Sequence, residues 1–443
     1  MKKFLTALLA LAMIFSLCAC GQSAAPAASA APAAEAPAAE APAAEAPAEA
    51  DPMAELVAAA QADGDLVVYG SCEEEYLAAA CENFEKIYGV KTTYQRLSTG
   101  EVPSKIEEEN GNPSADVWFG GTNNPYDGLA AKGFLDNSYV PMNASHLTKD
   151  IYKDPNGYWY GIYTGLLGFM VNTDELTRLG LEAPQSWDDL LKPEYQGLIW
   201  LSNYKTAGTP KLVANLMIQL KGHDEGIQYL VDLDKNVQVY TKSGSGPSKN
   251  VGTGECVIGI GFLHDGITQI LDNGYENVSL VVPSDGTACE VGPVAIFRGA
   301  KHMNAARLFM EYALSPDCVE LAAQHGSYQF LVIDNAKQPE AAAQFGLDPS
   351  LVWDGYDFAK AASDTEQNVN DVMDAIAASG ADVGEGRFKV EYYYTPPQGW
   401  RVFRHPCFIK RRKEQFLWQE AKVRRWIARN CWPIQSWSRP SSC

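Results

Sequence analysis

Ser71, Ser98-Thr99-Gly100 and Thr122 each stand where a short apolar run gives way to a helical pattern. A helix start exposes free N–H groups and the positive end of its dipole, so hydroxyls placed there suit an anion, phosphate above all. Thr209 and Ser243-Gly244-Ser245 repeat the arrangement later in the chain. His264-Asp265 adds a different chemistry, because imidazole both donates to and accepts from hydroxyl groups and a carboxylate accepts from them. Together the two sets describe a ligand with an anionic end and a polyol end. The same residue types also serve without a ligand, Ser and Thr as plain helix caps and a His-Asp pair as a satisfied helix start.

What places these residues is a repeated unit. Leu66 to Tyr69 reads as a short buried strand and Gly70-Ser71 as a loop, after which Tyr76, Leu77, Ala80, Phe84 and Ile87 keep helical spacing. Val90 to Leu97 and Asp116 to Phe119 supply the strands before a second and a third helix. Ser71 with Glu74, and Ser98 with Glu101, have the spacing of capping boxes, and Asn124-Pro125 reads as N-cap and first helical position. A second series follows: Trp159 to Asn172 as a crossing strand that carries Thr164, Ser186 to Leu190 as a helix start, then strands at Leu198 to Ser202, Val237 to Tyr240 and Val257 to Gly261. Strands alternating with helices predict an α/β protein of two lobes, each a central sheet flanked by helices, joined by crossing hinge strands. The lobes are expected over about residues 63–160 with 283–335, and over about 165–282 with 336–386. In such sheets a ligand lies beyond the carboxyl ends of the strands, which gathers these loops on one cleft.

Four segments carry a resemblance: Leu97-Ser98-Thr99-Gly100-Glu101, Ala115 to Thr122, Gly261-Phe262-Leu263-His264-Asp265 and Cys289-Glu290-Val291-Gly292. In order and spacing they resemble extracytoplasmic solute-binding proteins of ABC importers, over about residues 63–380. That group includes ferric-iron-binding, sugar-phosphate-binding and aminoethylphosphonate-binding members. The resemblance implies a type II periplasmic-binding clamp, monomeric and without a cofactor, that closes on a small anionic solute and passes it to a membrane permease with its ATPase. Ferric-binding members use adjacent tyrosines where this chain has Phe262-Leu263-His264-Asp265, and Tyr392 to Tyr394 lie in a compositionally foreign tail. The His-Asp pair resembles that of sugar-phosphate-binding members, whose side chains meet sugar hydroxyls with a glutamate, here Glu290, beside them. The implied ligand is an organic phosphate, a sugar phosphate foremost. Phosphonate or ferric iron remain alternatives on the same fold, as does a ligand-sensing receptor.

The ends of the chain read differently. Lys2, Lys3 and the apolar run from Phe4 to Leu17 lead into Leu17-Cys18-Ala19-Cys20, which resembles a lipoprotein signal with residues 1–19 removed and a lipid on Cys20. Residues 20–50, almost wholly Ala, Pro and Glu after Gly21, hold nothing to form a core and read as a tether. Extended at about 3.1 Å per residue, it spans up to roughly 90 Å. These features predict an extracytoplasmic protein anchored by lipid to the cell membrane.

The formal charge of −20 conceals a division, because the segment from Arg387 to the C-terminus carries 13 Lys and Arg against 3 Glu and holds five of the ten tryptophans. Residues 387–443 read as an altered frame or a fusion scar, not as part of the fold, and no nucleic-acid partner is expected. Cys72, Cys81, Cys256, Cys289 and Cys318 are odd in number and lack CxxC spacing, so neither a disulfide framework nor a zinc cluster is indicated. A GxSxG elbow, a Gly-rich Lys loop and an HExxH helix are all missing, which removes the usual routes to an enzyme.

Overall fold

The computed structural model describes residues 51–380. Cys20, the tether before Asp51 and the basic tail lie outside the described residues. After α1 (Pro52–Asp63) the chain runs through three strand–loop–helix units. They are β1 (Asp65–Gly70) to α2 (Glu74–Tyr88), β2 (Lys91–Arg96) to α3 (Glu101–Glu108), and β3 (Val117–Phe119) to α4 (Asn124–Ala131). The short β4 (Leu135–Asp136) precedes β5 (Tyr160–Asn172), a strand of 13 residues buried along its whole length. The second series is α5 (Thr173–Leu179), β6 (Ile199–Ser202), α6 (Thr209–Lys221), α7 (His223–Asp234), β7 (Val237–Thr241), α8 (Gly246–Val251), β8 (Ile258–Phe262), α9 (Leu263–Leu271) and β9 (Val278–Val281). β10 (Cys289–Phe297) then returns, followed by α10 (Met303–Ala313), α11 (Pro316–Val319), α12 (Leu321–Gln324), β11 (Phe330–Leu331), α13 (Glu340–Gln344) and the long α14 (Phe358–Ala378).

The strands order as β2-β1-β3-β10-β5-β8-β6-β7. β1 pairs in parallel with β2 and β3, and β6 in parallel with β7 and β8, so each lobe has its own parallel centre. β5 joins them. Its first half pairs antiparallel with β10 and its second half with β8 and β9, so a single strand belongs to both lobes.

Alternation along β3 explains how the first lobe is held. Trp118 points to one face, where it stacks on Tyr126 at 3.5 Å, while Phe119 points to the other and meets Phe309 edge-on at 5.6 Å. Both are fully buried, and each large apolar side chain so placed contributes roughly 1.5–3 kcal/mol. Phe169, Trp187, Leu201 and Leu216 form the matching centre of the second lobe. All five described cysteines are free and buried.

Several helix starts differ from the expected ones. α2 begins at Glu74, and the Ser71 hydroxyl, expected to cap it, instead accepts from Trp118 Nε1 at 2.9 Å. The second box forms by half: Glu101 Oε2 accepts from Ser98 N at 2.9 Å, but Gly100 is the N-cap. In α4 the N-cap is Asn123, one residue early. Ser186 to Leu190 gives only a 3-10 turn, Asp188–Leu191. There Asp285 accepts from Trp187 N, and Pro193 forces Lys192 out of the helical region.

Candidate functional site

The parallel strands of both lobes end at the same crevice. β1 delivers Ser71, Cys72 and Glu73; β2 delivers Arg96 and, just beyond, Ser98 and Thr99; β3 delivers Gly121 and Thr122. From the second lobe, β6 leads to Ala207, Gly208 and Thr209, β7 to Gly244 and Ser245, and β8 to Phe262, His264 and Asp265. Tyr163 on β5 and Glu290 on β10 close the floor. The lobes touch across this opening: Gly100 N donates to Thr206 O at 3.2 Å, and Lys242 Nζ lies 2.7 Å from Glu101 Oε1. Gly208 permits the approach, because a Cβ there would stand 1.9 Å from Thr122 Oγ1. The cavity measures about 40 Å³ in this closed arrangement, so anything larger than a few waters enters by parting the lobes.

One end is arranged for an anion. The Arg96 guanidinium is held by donating from Nε to Cys72 O at 3.2 Å, from Nη1 to Ser98 Oγ at 3.1 Å and from Nη2 to Ser243 Oγ at 3.4 Å. It therefore sits between the lobes with its plane fixed, the geometry that suits bidentate recognition of an oxyanion. Thr122 Oγ1, in the same lining, is buried without a hydrogen-bond partner. Thr99 and Thr209 line the same end, each almost fully buried.

The other end collects four titratable groups. His264 Nε2 lies 3.9 Å from Asp265 Oδ1 and 3.7 Å from Glu290 Oε1, while Glu73 shares a hydrogen bond with Asp265. Ser327 Oγ and Gln329 Nε2 donate to Glu73 Oε2 at 2.6 and 2.9 Å. The imidazole needs the space left by Gly165 on the crossing strand, where a Cβ would come within 2.4 Å of Nδ1.

Burial raises the Asp265 carboxyl well above its ordinary range, and the Glu73 charge and their shared hydrogen bond add to that. Glu290 is raised in the same way, by burial first and then by Glu73 and Asp265. Burial lowers His264 to about 4, with the Glu73 charge opposing. Burial also pushes Glu73 upward, but the His264 charge, the Ser327 hydroxyl and its own backbone N–H outweigh it and leave Glu73 below the usual carboxylate range. Three carboxylates this close do not all ionise. The end thus offers two carboxyls held toward protonation, Asp265 and Glu290, a carboxyl held toward ionisation, Glu73, and an imidazole held toward its neutral form, a set that both donates to and accepts from hydroxyls. Glu73, His264 and Asp265 also bring one ligand atom each within 4.8 Å of one another, the spacing of a metal site.

Of the residues singled out in the sequence, the cavity gathers Ser71, Ser98, Thr99, Thr122, Thr209, Gly244, Ser245, His264, Asp265 and Glu290. Three are not in its lining. Gly100 faces a second cavity, Thr164 spends its hydroxyl on Glu290 O at 2.5 Å, and Ser243 stands behind Arg96 and Ser245. Glu73 and Arg96 escaped sequence reading. Glu73 is hidden in a run of three glutamates that looks like an acidic helix start, and Arg96 shows only as a cation closing a strand before Ser-Thr-Gly.

Two mostly parallel half-sheets, a crossing strand and a cleft at the carboxyl ends of both define the two-lobed periplasmic-binding fold. Residues 112–361 match the family of the bacterial extracellular solute-binding protein. An uncharacterized protein of Haemophilus influenzae is 38% identical over 318 residues, 70% of this chain and 89% of its own length. The periplasmic binding protein AfuA from Actinobacillus pleuropneumoniae, solved with exogenous fructose-6-phosphate bound, is 35% identical, with a TM-score of 0.67 over 71% of this chain and 99% of its own. The Fe(3+)-binding periplasmic protein of Serratia marcescens is 24% identical over 304 residues, 66% of this chain and 87% of its own length. The chain belongs to the bacterial extracellular solute-binding family and is a solute-binding protein of the ABC-importer type. Among the described residues no helix is long and apolar enough to cross a membrane.

Proposed function

We propose that this protein captures an organic phosphate, a sugar phosphate in preference, and hands it to a membrane permease. It does so as a monomer held to the membrane by a lipid on Cys20, and it performs no chemistry on its ligand. The observation that carries this reading is the pairing, within one closed cavity, of an oriented Arg96 beside Ser and Thr hydroxyls with the Glu73–His264–Asp265–Glu290 cluster. The first end suits a phosphate, and the second suits neighbouring hydroxyls of a sugar. The likeness to AfuA with its bound fructose-6-phosphate supports the assignment.

Calorimetry with fructose-6-phosphate and with inorganic phosphate separates the two ends. Leaving a buried hydrogen-bond partner unsatisfied costs about 1–3 kcal/mol, so Asp265→Ala is expected to weaken the sugar phosphate roughly 5-fold to 100-fold. Inorganic phosphate, which reaches only the Arg96 end, is expected to change little. Unaltered sugar-phosphate affinity in Asp265→Ala removes the assignment. Ferric iron is the second reading, favoured by the spacing of Glu73, His264 and Asp265. Tight ferric binding by the wild-type protein, lost in the same variant and unaccompanied by fructose-6-phosphate binding, selects it.

A further inference from the structure

A second and larger cavity, about 620 Å³, opens between the lobes away from the one just described. The α4 side of the first lobe forms one wall, and α6 with α14 of the second lobe forms the other. Its body is apolar, with Leu129, Tyr204, Val369 and Met373 among the lining side chains, and its size falls within the range that holds a drug-sized molecule.

Lys211 is the chemically distinctive member of the lining. Among the described residues no carboxylate forms an ion pair with its ammonium, and desolvation lowers its pKa, with the charge of Glu366 in the same lining opposing and that of Lys132 adding. A second ammonium, Lys205, stands exposed at the rim. The carboxyl of Asp127, also in the lining, is pushed up to about 7 by burial, so its negative charge is only partial near neutrality. The cavity thus pairs an apolar body with three ammoniums, those of Lys205, of half-buried Lys211 and of Lys132, which pairs with Glu107 at 3.8 Å, against the carboxyls of Glu366 and Asp127. A ligand complementary to this lining carries a negative charge for the ammoniums while its remainder accepts apolar walls.

We propose that this interlobe cavity is a second binding site, for an organic anion with an apolar body such as an aromatic carboxylate, whose carboxylate meets Lys211. Because both lobes form its walls, an occupant bridges them and favours the closed clamp. By linkage it raises affinity at the first site by the factor through which the first ligand raises its own.

The test is calorimetry on the whole protein with 2-naphthoate as the probe and uncharged 2-naphthol as its control. The expected outcome is binding of 2-naphthoate that weakens at least about 10-fold in Lys211→Met, persists in Lys211→Arg and is unchanged in Asp265→Ala, with 2-naphthol binding no better than to Lys211→Met. A thermal melt of each variant confirms that it is folded, and Val369→Trp, which fills the cavity without touching the charge, is expected to abolish binding as well. No binding to the wild type overturns the proposal. So does equal affinity in Lys211→Met, and so does loss of binding in Asp265→Ala, which would place the probe in the first cavity.

Discussion

His264, Asp265 and Glu290 make the cleft sensitive to pH in two opposite senses. The His264 imidazole titrates at about 4 in the folded protein and near 6.5 when unfolded, so between these values the unfolded chain holds more protons. Stability therefore rises with pH across that window and is lost on acidification. Asp265 and Glu290 are raised in the fold, so the native state holds the extra protons, and stability falls as pH climbs from the ordinary carboxylate range toward their raised values. Urea melts between pH 4 and 8 are expected to show a smaller acid-side slope in His264→Gln than in the wild type. In Glu290→Gln the fall on the alkaline side is expected to flatten. Slopes unchanged in both variants would mean that these groups do not titrate between the folded and unfolded states.

At the scale of elements, the cleft depends on loops from different lobes meeting without side chains in the way. Gly208 opens α6 against Thr122, and the missing Cβ is what lets β3 and β6 bring their loops into contact. Overpacking of this kind costs typically about 1–3 kcal/mol, here charged against closure because only the closed form has the clash. Gly208→Val is expected to weaken fructose-6-phosphate by about 10-fold or more. Small-angle scattering carries the discriminating result: with saturating ligand the wild type contracts, whereas the variant keeps its ligand-free radius. A variant that contracts like the wild type would show that the lobes close by another contact.

For the whole molecule, the proposed lipid on Cys20 sets where the protein works. If Cys20 carries a lipid, the expressed protein enters the detergent phase on partitioning and Cys20→Ser stays in the aqueous phase. Equal aqueous recovery of both ends that reading. The described domain is a clamp whose two halves share β5, so opening requires bending at the middle of one buried strand pairing with β10 on one side and β8 on the other. The acidic balance of the chain, −20 overall, does not repel an anionic solute from the cleft, because Arg96 and the hydroxyls act within a few ångströms while dispersed surface charge is screened beyond a Debye length.

Periodicity and small-residue loops were enough to establish the alternation of strands and helices, the long crossing strand and the edge at which ligand-facing loops gather. Those features follow from local pattern: apolar runs bury, and Gly, Ser and Thr end them. Helix starts were less legible, since the Ser71 hydroxyl that pattern assigns to a cap is taken by Trp118, a residue 47 positions away. The composition of the cleft was legible only in part. His264 and Asp265 stand out as neighbours in the chain, but Glu73 joins them from the far end of β1, and Arg96 reaches Ser243 across 147 residues. Sequence supplies residue types and local spacing; which carboxylates share a proton, and which cation faces which hydroxyl, depends on two sheets being closed against each other, and only tertiary structure decides that.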